Sequence, residues 1–183
     1  MKLIKFFLLI LLSFNISIKA NSNDKIQSLL KEGEKLIFIR HAIAPGGGDP
    51  VNFDILKCET QRNLSKEGIA QSKNMGKFFL ENNIKIDKVL SSEWCRCKQT
   101  AQYAFNLYET KSFLNSFFSE KFASNKNKQI NDLKKYINEW SGDNNLVLVT
   151  HYVLIQEALN ITSSSGELIV TDKNFNVLAR QNF

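Results

Sequence analysis

Leu36-Ile37-Phe38-Ile39 runs straight into Arg40-His41, and a second apolar run, Leu146-Val147-Leu148-Val149-Thr150, runs straight into His151. Runs this short, rich in β-branched residues and bounded by polar, Gly or Pro residues, read as buried strands of a parallel sheet. Residues just past the carboxyl ends of such strands line the crevice where open α/β sheets bind ligands. His41 and His151 are the only two histidines in the chain. Their shared position predicts that they meet in one site. Arg40, beside the first, suits that site to an anion.

Working outward, Lys35 to Ile39 is the first strand, and Ala42 to Pro50, with Gly46-Gly47-Gly48, is an irregular loop at the rim of the site. No Gly-Lys-Ser/Thr follows the glycines, so the run is not a nucleotide-binding loop. Ser65 caps a helix that carries Gly68 in its first turn and continues through Leu80. Lys88-Val89-Leu90 is a second strand ending in Ser91-Ser92, and a helix follows from Trp94 to Tyr108. Phe113-Leu114 reads as a third short strand. Asn131 to Trp140 and His151 to Leu159 read as helices around the fourth strand, Leu146 to Val149. Glu167 to Thr171 and Asn176 to Ala179 flank Asp172-Lys173-Asn174, a closing hairpin. This alternation predicts a three-layer α/β/α sandwich with a mainly parallel central sheet and a C-terminal β-hairpin.

The chain of 183 residues suffices for one domain with a real core. Its start is set apart. Met1 to Lys5 is basic, Phe6 to Phe14 is almost wholly apolar, and small and polar residues end at Ala20. That order predicts a secretory signal peptide over 1–20, followed by a single domain over 21–183. The apolar core is shorter than the roughly 20 residues a membrane span needs, so no stable insertion is expected after cleavage. The expected location is secreted or periplasmic.

The net charge is +6, and losing Lys2, Lys5 and Lys19 would leave +3. No basic stripe with interleaved aromatics is present, so no nucleic-acid partner is expected. The lysines between 121 and 135 read as a solvated helix face. Three cysteines in an exported chain allow one disulfide and one free thiol. Cys95 and Cys97 are too close in sequence to pair comfortably, so Cys58 is expected to pair with one of them. No histidine lies near these cysteines at zinc-ligand spacing.

Three strand ends carry the chemistry: Arg40-His41, the segment Ser91 to Ala101 containing Arg96, and Thr150-His151. Two guanidiniums and two imidazoles at one sheet edge make a pocket for a phosphate dianion. The planar fork of Arg pairs with two phosphate oxygens at once, and helix N-termini add backbone donors.

Ile39-Arg40-His41-Ala42 resembles the Arg-His-Gly signature of the histidine phosphatase superfamily, the phosphoglycerate-mutase-like proteins. Arg96 followed by Gln99-Thr100-Ala101 is similar to that family's second element. Val149-Thr150-His151 resembles its late histidine, and Leu64 to Gln71 its helix-opening segment. These matches fall in the family's order and cover most of the chain after residue 20.

The resemblance implies that His41 attacks phosphorus, that Arg40, Arg96 and a protonated His151 hold the phosphoryl oxygens, and that water then cleaves the phosphohistidine. It implies a small phosphorylated substrate. No metal or cofactor is expected, because side chains supply the cations. Arg62 is a further substrate-binding candidate. The sequence departs from the family at the proton donor. The acid expected after the third strand is missing from Leu114-Asn115-Ser116, and Tyr152 stands where some acid phosphatases carry Asp. Glu120 is the first candidate for that role, with Asp49 and Glu93 as alternatives. The leading reading is an exported phosphatase acting on phosphomonoesters. Its rival is a non-catalytic phospho-ligand binding module of the same fold.

Overall fold

The computed structural model describes residues 22–183, so the signal-peptide reading of residues 1–20 lies outside the described residues. Helix α1 (Ser22–Glu32) leads into strand β1 (Leu36–Arg40). A long loop containing a 3-10 turn at Cys58–Thr60 then reaches α2 (Lys66–Glu81). Next come β2 (Ile86–Ser91), α3 (Cys95–Phe105) and the two-residue β3 (Glu109–Thr110). The one-turn α4 (Glu120–Ala123) and α5 (Lys126–Glu139) precede β4 (Asn145–Thr150) and α6 (Tyr152–Leu159). Strands β5 (Leu168–Thr171) and β6 (Val177–Gln181) close the chain.

The six strands form one sheet in the order β3-β2-β4-β1-β5-β6. Pairings β1–β4, β2–β4 and β2–β3 are parallel, while β1–β5 and β5–β6 are antiparallel. The sheet is therefore mainly parallel with a C-terminal hairpin. Side chains alternate across the central strands, as the strand period of two requires. Ile37, Ile39, Val147 and Val149 enter one core with Ile26 and Leu30 of α1, Met75 and Phe79 of α2, and Ala101 of α3. Leu36, Phe38, Leu146 and Leu148 enter the other with Leu133 and Ile137 of α5 and Leu154 and Ile155 of α6. Helices on both faces explain why β4 is buried at every residue and carries no polar alternation.

Three sequence expectations are corrected. Phe113-Leu114 belongs to a 3-10 turn, Ser112–Leu114, and the short third strand is Glu109–Thr110 beside β2. The two aromatic and apolar residues resembled a strand, but Lys111 N already bonds to Ser91 O and the chain turns there. Helix α3 ends at Phe105, where Asn106 adopts a left-handed conformation (φ 64°), short of Tyr108. Helix α5 starts five residues before Asn131 at Lys126, because its first turn is polar and carries no apolar period, its inward residue being Gln129, which donates to the Ser112 and Asn115 carbonyls.

Ser65 Oγ accepts the backbone N–H of Gly68, capping α2. A Cβ at Gly68 would sit 2.1 Å from the Ile43 carbonyl oxygen, so only glycine lets the loop after His41 lie directly on α2. The Cys58–Cys95 disulfide ties that same loop to the first residue of α3, and Cys97 remains a buried free thiol. Closing a loop of 37 residues contributes about 3–4 kcal/mol in the chain-entropy account. No helix among the described residues is long and apolar enough to cross a membrane.

Candidate active site

Neighbouring strands β1, β4 and β2 deliver three residues to one edge. His41 N bonds to Thr150 O, and Ser92 N bonds to Val149 O, so the ladder continues one residue past each strand end. His41 and His151 consequently stand side by side, with ring centroids 5.5 Å apart and both rings buried. Arg96, in the first turn of α3, reaches across both. Its Nε lies 3.3 Å from His41 Nε2, and its Nη2 lies 3.5 Å from His151 Nδ1.

The hydrogen bonds settle both tautomers. His41 Nδ1 faces the Ala42 carbonyl at 2.9 Å, and a carbonyl only accepts, so Nδ1 carries the proton. Nε2 then keeps its lone pair and points into the site. On His151, Nε2 faces Ser92 Oγ at 2.9 Å. The Ser92 hydroxyl proton goes to Asn115 Oδ1 at 3.0 Å, so His151 Nε2 is the donor and Nδ1 is the free nitrogen. Asn115 is itself oriented by Glu93, whose backbone N–H donates to Oδ1 and whose carboxylate accepts from Nδ2. A chain Glu93–Asn115–Ser92–His151 thus aims the second imidazole.

Burial first, and the Arg96 guanidinium second, push His41 down to about 3. The same causes, with His41 itself third, hold His151 well below its ordinary value. Both imidazoles are neutral at pH 7. The folded value of His41 lies below the unfolded 6.5, so acid favours the unfolded chain, which binds more protons. Its share of stability is intact above pH 6.5 and is lost as the pH falls toward 3. At about 1.4 kcal/mol per unit, the loss between pH 6.5 and 4.5 is of order 2–3 kcal/mol. Urea unfolding midpoints measured at both pH values should show it, and His41→Gln should shrink the difference, leaving the part that His151 contributes. An equal pH dependence in the variant would refute a buried neutral His41.

The other sequence-predicted residues fall as follows. Arg40 donates from Nη1 to Ser163 O at 2.6 Å, and its Nε is buried without a partner. The Tyr152 ring lies under its guanidinium at 5.4 Å, with exposed Phe118 against that ring. Arg62 donates from Nη1 to the Ala44 and Gly46 carbonyls, holding the loop after His41, and its Nε is likewise unpartnered. Its charge also depresses both histidines. The Gln99-Thr100-Ala101 triplet is scaffolding. Gln99 Oε1 accepts Leu64 N, Thr100 Oγ1 accepts Ala42 N, and Ala101 is core. Glu120 is exposed at the start of α4 and makes no hydrogen bond or ion pair with either histidine or with Arg40 or Arg96. Phe122 of the same short helix packs on Trp94, and Trp94 packs on His151, so α4 stands beside the cluster while the Glu120 side chain is exposed.

The carboxylate that does touch the cluster is Asp49, which accepts from Arg96 Nη1 and Trp94 Nε1. Sequence reasoning ranked it below Glu120, and it missed Ser92 and Asn115 as partners of His151. Asn115 stands where the resemblance expects an acid, the one signal that could have found it. Cys97 Sγ lies 3.5 Å from His151 Nε2, but burial pushes its thiol up to about 12, so it stays protonated and inert. Among the described residues no group of three or more His, Cys, Asp or Glu side chains could hold a metal ion.

No family model matches the chain, and no curated protein matches its sequence closely. Solved structures do match. The protein histidine phosphatase SixA complexed with tungstate aligns at TM-score 0.56 and 16% identity, over 81% of this chain and 96% of that one. Phosphoglycerate mutase from Thermus thermophilus aligns at TM-score 0.58 and 14% identity, over 81% and 99%. A candidate alpha-ribazole-5'-P phosphatase from Escherichia coli aligns at TM-score 0.56 and 16% identity, over 81% and 94%. With its six-stranded, mainly parallel sheet and paired strand-end histidines, this chain has the fold of the histidine phosphatase superfamily.

Proposed function

We propose that the chain is a phosphatase that hydrolyses small phosphomonoesters through a phosphohistidine on His41, and that it works outside the cytoplasm. One observation carries the reading. Two neutral imidazoles sit 5.5 Å apart at the carboxyl edge of the sheet, with Arg96 touching both and with buried, unpartnered Nε atoms on Arg40 and Arg62. Such donors are what a phosphoryl dianion satisfies. SixA, one of the folds that aligns, was solved with tungstate, an oxyanion of similar shape.

The chemistry follows from the tautomers. His41 Nε2 attacks phosphorus with its lone pair while Nδ1–H, bonded to Ala42 O, keeps the ring oriented. Arg96, Arg40 and Arg62 hold the oxygens as charge spreads onto them. A bound dianion also reverses the balance on His151. It takes up a proton at Nδ1 and donates to a phosphoryl oxygen, while Nε2–H stays on Ser92. Water then cleaves the phosphorus–nitrogen bond. The N-terminal sequence pattern and the Cys58–Cys95 disulfide support an oxidising, extracytoplasmic setting.

That Glu120 is exposed and makes no hydrogen bond to either histidine favours a second reading, the non-catalytic phospho-ligand binding module. Turnover of p-nitrophenyl phosphate in the presence of a chelator separates the two. The phosphatase reading expects multiple turnovers and an acid-labile phosphoprotein on rapid quenching. Binding of inorganic phosphate without turnover of any ester would establish the binding module instead.

A further inference from the structure

We propose that Asp49 is the proton donor to the leaving group, released for that task when the substrate takes its place on Arg96. The proposal rests on the phosphatase reading and supplies the acid that reading lacks.

Among the described residues, Asp49 is the carboxylate paired with the Arg96 guanidinium, and that guanidinium is the one facing His41 Nε2. Asp49 Oδ1 accepts from Nη1 at 2.6 Å, one guanidinium's width from the attacking nitrogen. The other acids near the site are committed elsewhere. Glu93 is spent on Asn115, and Glu167 is held by Arg180 and the Ser164 backbone. Neither bonds to an imidazole or to Arg96.

Asp49 sits on the glycine-rich loop after His41, whose ends Arg62 and the Cys58–Cys95 disulfide hold. Gly46 and Gly48 hold φ of +96° and +66°, and a Cβ at Gly47 or Gly48 would meet nothing within 4 Å. Two side-chain contacts hold the carboxylate itself: Arg96 Nη1 and Trp94 Nε1. Asp49 is therefore an internal anion on the very donor a phosphoryl oxygen needs. A substrate that claims Nη1 displaces it. The freed carboxylate then faces the phosphoryl group and takes over the proton that the ester, bound as its monoanion, brings in. Trp94 Nε1 only donates, so it steers Oδ2 without competing for the proton.

The proton balance closes. As the His41 Nε2–phosphorus bond forms and the ester P–O bond breaks, Asp49 gives its proton to the departing oxygen, which leaves as an alcohol. In the second half-reaction the Asp49 carboxylate accepts a proton from the attacking water, whose oxygen bonds to phosphorus as the N–P bond breaks. Inorganic phosphate leaves, and the carboxyl group and neutral His41 are regenerated.

The test is the leaving-group dependence of Asp49→Asn, which keeps shape and removes the proton. The full chain and the variant are compared on p-nitrophenyl phosphate, phenyl phosphate and an alkyl phosphate. General acid catalysis of about 10²–10⁴-fold should vanish for the phenyl and alkyl esters. Loss on p-nitrophenyl phosphate, whose leaving group needs little help, should stay below about tenfold. Inorganic phosphate should inhibit the variant at several-fold lower concentration, because its competitor for Arg96 is gone. Asp49→Glu, which keeps a carboxyl group, should restore turnover of the alkyl ester. Equal losses on all three esters, or none, would overturn the role of Asp49 and leave the phosphatase reading standing. An unmutated chain that turns over no ester overturns the phosphatase reading, and this proposal with it.

Discussion

His41→Ala is expected to lower turnover of p-nitrophenyl phosphate by at least about 10³-fold while leaving phosphate binding within a few-fold of the unmutated chain. The loss in rate corresponds to roughly 4 kcal/mol of transition-state stabilisation. The two effects separate because the residues are separate. In the proposed mechanism the nucleophilic Nε2 belongs to His41, whereas the anion-binding donors belong to Arg40, Arg62, Arg96 and His151. Truncation leaves a ring-sized space beside Arg96, so added imidazole should restore part of the turnover by accepting the phosphoryl group itself. Steady-state kinetics with and without imidazole, together with phosphate inhibition constants, provide the measurement. A variant that keeps activity within about tenfold would show that no covalent step passes through this residue.

Arg96→Ala should cost a comparable factor in kcat/KM, about 10³-fold, because one guanidinium serves His41, His151 and Asp49 at once. Arg96→Lys should recover little. A lysine ammonium is a compact point charge on a flexible stem and cannot span three partners in one plane. The alanine change also strands the Asp49 carboxylate, whose side chain is only 14% exposed, so a stability loss of about 3 kcal/mol is expected. Arg96 is second only to burial among the influences that keep both imidazoles neutral. Its removal should raise both titrations. Because the chain has just two histidines, their NMR ring signals report this without ambiguity. Unchanged titrations would mean that Arg96 does not face the rings.

What reads directly from sequence is the framework. Strands β1 and β4 are short apolar runs whose ends declare themselves by a switch to Arg-His and Thr-His, and local periodicity places α2 behind its Ser65 cap. The pairing of Cys58 with one of two neighbours was also legible, because two cysteines so near in sequence leave a distant third to pair with. Strand β3 was not legible, since two residues carry no period. Nor was the nearness of Asp49 to Arg96, a contact across 47 residues that passes through a loop without regular structure.

Sequence alone therefore determined the alternation of strands and helices, the burial of the central strands, and the two strand-end histidines. Hydrophobic period and composition are local quantities written residue by residue. Only the tertiary structure decided which nitrogen of each imidazole is free, which carboxylate meets Arg96, and which cysteine closes the bridge. These depend on distances of a few ångströms between segments far apart in the chain, and strand order together with loop path sets those distances.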